Sequence, residues 1–333
     1  VTLRSIAILG AGAWGTALAK LWSEGIPEII LWGHDPVHLA AIQSQRENRR
    51  HLPGVKLPPA IRLTSDVAEC DDVDLVVFVT PSTALRTVAE QMSPHLRNES
   101  TVLISCTKGI EHGTGMRMSE ILSETFPHNP IAALSGPNLA AEVVRAMPTA
   151  SVIASAQSDC ALALQPLLSR ARFRVYTAED LAGVELGGAL KNIFAIAAGA
   201  SDGLGLGDNT KAALVTRALA EMTRLGTALG GSEPTFYGLS GAGDLIATCF
   251  SKLSRNRRVG EELARGHALT QITESMRTVA EGIPTTRSVF ARARVLNIDT
   301  PILDQVYALL YEGRSPAAAM EELLGRDPKP ERR

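Results

Sequence analysis

The sequence predicts an α/β domain with a doubly wound parallel sheet, followed by an all-α domain. Three observations lead there. Short apolar runs without alternation recur through the first half, with helical patterns between them. Strands of that texture are buried on both faces and joined by right-handed crossovers, which makes a parallel sheet. The first run leads straight into a glycine-rich turn and a helix, Gly10-Ala11-Gly12-Ala13-Trp14-Gly15. From about Leu181 the texture changes to Ala, Gly and Leu at helical spacing.

In order, the apolar runs are 5–9 (SIAIL), 28–32 (EIILW), 74–80 (DLVVFVT), 101–109 (TVLISCTKG), 131–137 (IAALSGP), 151–156 (SVIASA) and 173–177 (FRVYT). Helical patterns follow the first and third runs, at 16–23 and 82–92. Residues 43–63 are polar, then punctuated by proline, and read as a helix end and an extended connection. In the second half, helices are expected at 181–200, at 210–230 with Arg217 four residues before Glu221, and around 257–265, 286–296 and 301–312. The join lies near 176–181. The expected division is an α/β domain over 1–180, an all-α domain over 181–326, and a polar, frayed tail over 327–333.

Composition narrows the function classes. The 333 residues are 45% hydrophobic and 20% charged, ordinary for a globular protein with real cores. Net charge is −2 without a basic arm, which argues against nucleic acid as the main partner. Aromatics at 4% argue against base-stacking platforms. The apolar stretches read as shorter than the ~18 residues that cross a bilayer. The opening VTLR runs into a strand, which reads as no signal peptide. Cys70, Cys106, Cys160 and Cys249 are far apart and read as reduced thiols, and the histidines lack ligand spacing, so no metal is expected.

The glycine loop carries the first chemical reading. A strand, then G-x-G-x-x-G, then a helix is the Rossmann dinucleotide context. Gly10 permits the turn, Gly12 lets the backbone approach a pyrophosphate, and Gly15 lets helix and strand pack closely. The helix N-terminus offers free N–H groups to the phosphates. At the end of the second run, LWGHDP places Gly33 where NAD binders carry an acid. His34 and an arginine from 46–50, such as Arg50, suit a 2′-phosphate; Asp35 suits ribose hydroxyls. The arginines could equally be a solvated helix face. The expectation is NADP(H) and/or NAD(H), with NADPH favoured.

Lys191 carries the second. Between Leu181 and Ala200 the only charged residues are Glu185 and Lys191. A lysine inside an apolar helix must pair, snorkel or lose its proton. With a lowered pKa it can exchange a proton with a carbonyl or hydroxyl oxygen. Asn192 beside it can orient a hydroxyl or fill a polar gap. Lys108 ends the fourth run, at the sheet edge that faces ligands, or is merely a solvated turn residue. Asp244 and Thr248 share one helix face. Ser254 suits an N-cap, and Arg255 beside exposed helix N–H groups suits a phosphate; SRNRR could also be an ordinary basic helix start.

With SIAILGAGAWGTALA, LWGHDP, CTKGI, SGPN, ELGGALKNIFAIAAG, GLSGAGDL, SRNRRVG and VAEG in this order, the chain resembles the bacterial NAD(P)-dependent glycerol-3-phosphate dehydrogenases from about Ile6 to Gly325. The resemblance implies a Rossmann domain, a helical domain and an active site between them. It implies reversible reduction of dihydroxyacetone phosphate, a phosphorylated triose, to sn-glycerol 3-phosphate, a phospholipid precursor. It implies Lys191 as proton donor and acceptor, with Lys108, Asp244, Thr248 and Asn192 beside it. Substrate contacts fall on Lys108, Gly136, Asn138, Lys191, Asp244, Ser254, Arg255 and Asn256. Dinucleotide contacts fall on Ala13, Trp14, His34, Lys108, Ala140, Arg255, Val279 and Glu281. Many relatives carry a hydroxyl residue where Asn138 stands, so an amide would make that contact here. A cytoplasmic homodimer is the family-level expectation. The alternatives are another two-domain reductase, such as one for hydroxyacids or ketopantoate, and a non-catalytic NAD(P) sensor.

Overall fold

The computed structural model describes residues 3–276, 279–327 and 330–331. Parts of the opening VTLR and of the expected 327–333 tail therefore lie outside the described residues. Eight strands form one sheet: β1 (Ser5–Leu9), β2 (Glu28–Trp32), β3 (Ile61–Thr64), β4 (Leu75–Phe78), β5 (Val102–Ser105), β6 (Ile131–Ser135), β7 (Thr149–Ser155) and β8 (Phe173–Ala178). Their order is β3-β2-β1-β4-β5-β6-β7-β8. The helices among them are α1 (Ala13–Trp22), α2 (Pro36–Gln45), α3 (Leu85–Met92), α4 (Met118–Thr125), α5 (Ala140–Val143) and α6 (Ser158–Leu168).

The continuous apolar runs have the expected cause. Within β1, Ile6 and Ile8 join one core with Leu18 and Trp22 of α1. Ala7 and Leu9 join the opposite core, with Leu85 and Met92 of α3 and Ile121 of α4. Both faces are covered, so both sets of side chains are apolar.

Two expectations about the sheet are corrected. The stretch 43–63, read as a connection, ends in β3, a four-residue edge strand on β2. One side of an edge strand is open, so exposed Arg62 fits it and dilutes the apolar signal. The sheet is also not wholly parallel, because β6 and β7 pair antiparallel. Their connection holds only the four-residue α5. At ~1.5 Å per residue that helix spans ~6 Å. A five-residue strand such as β6 is ~17 Å long. The helix cannot carry the chain back for a parallel pairing.

The second half contains α7 (Leu181–Gly203), α8 (Gly207–Ala228), α9 (Glu233–Phe236), a π-helical turn (Leu239–Gly243), α10 (Asp244–Phe250), α11 (Arg255–Ala264), α12 (Leu269–Ser275), α13 (Gly282–Val295), α14 (Pro301–Tyr311) and α15 (Pro316–Leu324). Helix α7 starts where Asp180 caps it, accepting from Gly183 N at 2.8 Å. Every residue from Gly183 to Ser201 is buried, which is why the helix is apolar all round. It corrects the expectation about apolar length: at 23 residues it is long and apolar enough to cross a membrane, yet 83% of its most apolar window is buried in the protein. Helix α11 crosses α7 in near backbone contact. A Cβ on Gly199 would stand 1.8 Å from Arg257 O, and one on Gly260 1.9 Å from Ile196 O. That crossing ties the first half of α11 to the C-terminal part of α7.

Glu221, four residues after Arg217 in α8, is engaged outside its own helix. It is buried and accepts from the N–H groups of Ile302 and Leu303 at 3.0 and 2.8 Å, capping α14. Burial pushes its carboxyl up to about 7.

Candidate active site

The site lies where the C-terminal edge of the sheet meets α7. The sheet's switch point is between β1 and β4, the usual place for a ligand crevice. The three glycines there divide the work. Gly10 has φ +137°, and a Cβ on it would stand 2.6 Å from Val79 O. A Cβ on Gly15 would stand 1.9 Å from Gly10 O. A Cβ on Gly12 would meet nothing within 4 Å among the described residues beyond its own chain neighbours and helix backbone. Gly10 and Gly15 thus allow the turn and the close packing, while Gly12 leaves open space at the start of α1. Such space beside helix N–H groups fits a dinucleotide pyrophosphate. Asn48, missed in the sequence, braces this loop: it is buried and donates to Ala11 O at 2.9 Å and Thr16 Oγ1 at 2.8 Å.

The glycines predict separable defects. Gly12→Val should weaken NAD(P)H binding at least tenfold with little change in Tm, because its side chain enters ligand space. Gly15→Val should lower Tm as well, because it drives α1 off β1. Dinucleotide titration beside thermal melting distinguishes them.

Ala13 and Trp14 open α1. The Trp14 ring lies 6.4 Å from Phe173 and joins a small cluster with Ala140. His34 is exposed. Asp35, considered for ribose hydroxyls, caps α2 through Oδ1, which accepts from Val37 N and His38 N at 3.0 Å. Those backbone bonds hold its carboxyl below the usual range. Exposed Arg50 pairs with it at 3.4 Å. The 46–50 arginines are not a helix face, since α2 ends at Gln45. Arg46 binds the carbonyls of Pro58 and Ile61, and Arg49 reaches Glu47 at 3.6 Å.

Four candidate residues from both halves meet in one buried cluster. Lys191 Nζ donates to Asp244 Oδ1 at 2.9 Å and to Thr248 Oγ1 at 2.7 Å. Lys108 Nζ donates to Asp244 Oδ2 at 2.7 Å and to Gly136 O at 2.8 Å. Lys191, Asp244 and Thr248 are 7%, 2% and 4% exposed, so the lysine head does not snorkel to solvent. Gly188, also missed, makes the room. A Cβ there would lie 2.5 Å from Ser135 Oγ and 3.4 Å from Lys108 Cγ.

Burial pulls the Lys191 ammonium down to about 8, with Asp244 opposing and the Lys108 charge assisting. Burial also favours neutral Asp244, but the two lysines overcome it and hold the carboxyl below its ordinary value. One carboxylate thus holds a buried ammonium, Lys191, and a partly buried one, Lys108, and Lys191 can release a proton near neutral pH.

Asn192 Oδ1 accepts from Asn256 Nδ2 at 2.7 Å, and Asn256 Oδ1 accepts from Gly282 N at 2.8 Å. Asn192 Nδ2 lies 3.4 Å from Lys108 O. Ser254 caps α11, accepting from Arg257 N at 3.2 Å. Arg255 is exposed and donates to Val279 O at 2.8 Å. Glu281 accepts from Ser82 across the cleft. Asn138 Oδ1 accepts from Ser151 Oγ at 2.7 Å. Among the described residues, Asn138 Nδ2, Thr80 Oγ1 and Ser135 Oγ are buried without hydrogen-bond partners. Thr80 and Ser135 follow or end β4 and β6, on the ligand-facing edge. His34 and Arg50 stand apart from the lysine cluster, on the side of the sheet next to β2.

Comparisons with known proteins bear on the family and the fold. Residues 5–161 match the family model for the N-terminus of NAD-dependent glycerol-3-phosphate dehydrogenase, and residues 180–321 match that for its C-terminus. The chain is 45% identical to glycerol-3-phosphate dehydrogenase (NAD(P)+) of Desulfitobacterium hafniense, covering 99% of this chain and 93% of that protein. The chain belongs to the NAD-dependent glycerol-3-phosphate dehydrogenase family. A second dehydrogenase of that name, from Syntrophotalea carbinolica, is 46% identical over 98% of this chain and 99% of its own. The crystal structure of glycerol-3-phosphate dehydrogenase from Coxiella burnetii superposes with a TM-score of 0.94 at 39% identity, covering 97% of this chain and 99% of that one. The glycerol-3-phosphate dehydrogenase fold is thus shared over nearly the whole chain.

Proposed function

We infer that the chain catalyses the reversible NAD(P)H-dependent reduction of dihydroxyacetone phosphate to sn-glycerol 3-phosphate. The observation that carries this reading is the buried cluster of Lys191, Asp244, Thr248 and Lys108 at the edge of a dinucleotide fold. When bound, the nicotinamide supplies hydride to the ketone carbon. Negative charge then grows on the ketone oxygen. Lys191 as ammonium stabilises that charge and donates the proton; in reverse, as amine, it takes the alcohol proton. Asp244 and Thr248 aim Lys191, and Lys108 adds a second positive charge. Asn192 and Asn256 tie α7 to the start of α11 and α13. Arg255 and the α11 N-terminus bind the phosphate, and Gly136 and Asn138 are further substrate contacts. That remote grip positions the carbonyl.

In this reading residues 1–180 bind the dinucleotide and 181–326 the substrate. Gly10, Gly12, Ala13, Trp14 and Gly15 cradle the cofactor with Ala140, Val279 and Glu281. NADPH is preferred over NADH, because Gly33 replaces a carboxylate, Asp35 is engaged by its cap, and His34 and Arg50 are exposed nearby. The enzyme works as a cytoplasmic homodimer supplying glycerophospholipid synthesis.

The deciding experiment follows cofactor absorbance with dihydroxyacetone phosphate, using NADPH and NADH in parallel. Oxidation of neither cofactor would refute the reaction, and a strong NADH preference would refute the cofactor choice. Arg255→Ala should raise KM for the phosphorylated substrate about 10- to 100-fold with a smaller change in kcat, since a charge-assisted grip is worth ~1.5–3 kcal/mol.

A further inference from the structure

Ser82 follows Pro81 just beyond the C-terminal end of β4, next to the switch point. It is 3% exposed. Its backbone N–H donates to Glu281 Oε1 at 3.0 Å and its hydroxyl to Glu281 Oε2 at 2.5 Å. Glu281 is the residue just before α13, 199 positions away. The two residues therefore join the sheet domain to the helical domain across the crevice. A Cβ on Gly109 would lie 2.4 Å from Ser82 Cβ and 3.1 Å from Glu281 Oε2. The turn after Lys108 is thus packed directly against this pair.

We propose that Ser82 is a positioning residue that holds the Glu281 carboxylate in the crevice as an acceptor for the dinucleotide. The inference rests on the functional reading above, in which Glu281 contacts the cofactor. Burial raises the Glu281 carboxyl, and both Ser82 donors favour its charged form. Each oxygen takes one bond from Ser82 and keeps a second lone pair. Two bonds from one residue also fix the rotation of the carboxylate, which a single contact would not. The free lone pairs can then meet hydroxyl or amide donors of the cofactor without reorganisation.

A double-mutant cycle tests this by calorimetric titration of NADPH and NADH into substrate-free enzyme. Ser82→Ala should raise the dinucleotide Kd about tenfold, the loss expected for charge-assisted hydrogen bonds. Ser82→Cys, a weaker donor of similar size, should fall between wild type and Ser82→Ala. In a Glu281→Ala background, Ser82→Ala should add almost nothing, because a positioning role acts only through the carboxylate. Melting curves identify any variant that has lost its fold, and Ser82→Cys remains testable if Ser82→Ala is lost. An unchanged Kd in folded Ser82→Ala, or effects that add in the cycle, would overturn the proposal. Wild-type enzyme that binds neither dinucleotide would overturn the functional reading instead.

Discussion

Lys191→Ala should lower kcat for dihydroxyacetone phosphate reduction by about 10⁴-fold, ~5 kcal/mol of barrier. The ammonium is asked to supply two effects, proton donation and stabilisation of the nascent alkoxide, and alanine supplies neither. Lys108 cannot substitute, since its Nζ is held by Gly136 O and the other oxygen of Asp244. Dinucleotide Kd should stay within about threefold, because the glycine loop lies on the opposite domain. Stopped-flow turnover with a parallel cofactor titration reads both. Near-normal turnover in this variant would end the mechanism. The wild-type pH profile carries the same signature. With Lys191 near 8, kcat/KM for reduction should fall as pH rises through about 8, because the ammonium is lost. In the oxidation direction it should rise over the same interval, because the amine is required.

Asp244→Asn should cost about 10²–10³-fold in kcat/KM for reduction at pH 7 and also lower Tm. The carboxylate is 2% exposed and sits between two ammonium groups. An amide of the same shape leaves the buried Lys191 ammonium facing the partly buried Lys108 charge with no carboxylate between them. Removing one partner from a buried ionic cluster typically costs ~3–5 kcal/mol of stability. The pH response separates this from simple unfolding. Without Asp244, burial and the Lys108 charge act unopposed on Lys191, so its pKa falls further below 8. The ammonium form then exists only at lower pH, and the falling limb of the reduction profile should move toward acid. Activity should recover partly as pH is lowered. A falling limb that stays at the wild-type position would show that Asp244 does not set the Lys191 proton.

Each part of the fold was legible to the degree that local pattern caused it. Strands β1, β2 and β4 stand out because both their faces are buried, leaving uninterrupted apolar runs. Strand β3 did not, since an edge strand of four residues with Arg62 exposed lacks that run. The reversal at β7 depends on how short α5 is, and no residue in β7 itself encodes its direction. In the site, Lys191 is conspicuous as a charge inside an apolar helix. Asn48 and Gly188 carry no comparable signal. Asn48 matters because it reaches back 37 positions to Ala11, and Gly188 because Lys108 passes over it.

By itself, the sequence determined the α/β-then-α order, the glycine turn and a lysine inside an apolar helix that must pair, snorkel or lose its proton. These follow from periodicity, backbone freedom and the cost of burying charge, all of which are local. Only the tertiary structure decided that Lys108 and Lys191 share one carboxylate, that Asp35 caps α2 through one of its oxygens, and that Ser82 grips Glu281. Those outcomes depend on contacts between residues up to 199 positions apart, where direction and distance are set by packing of whole elements.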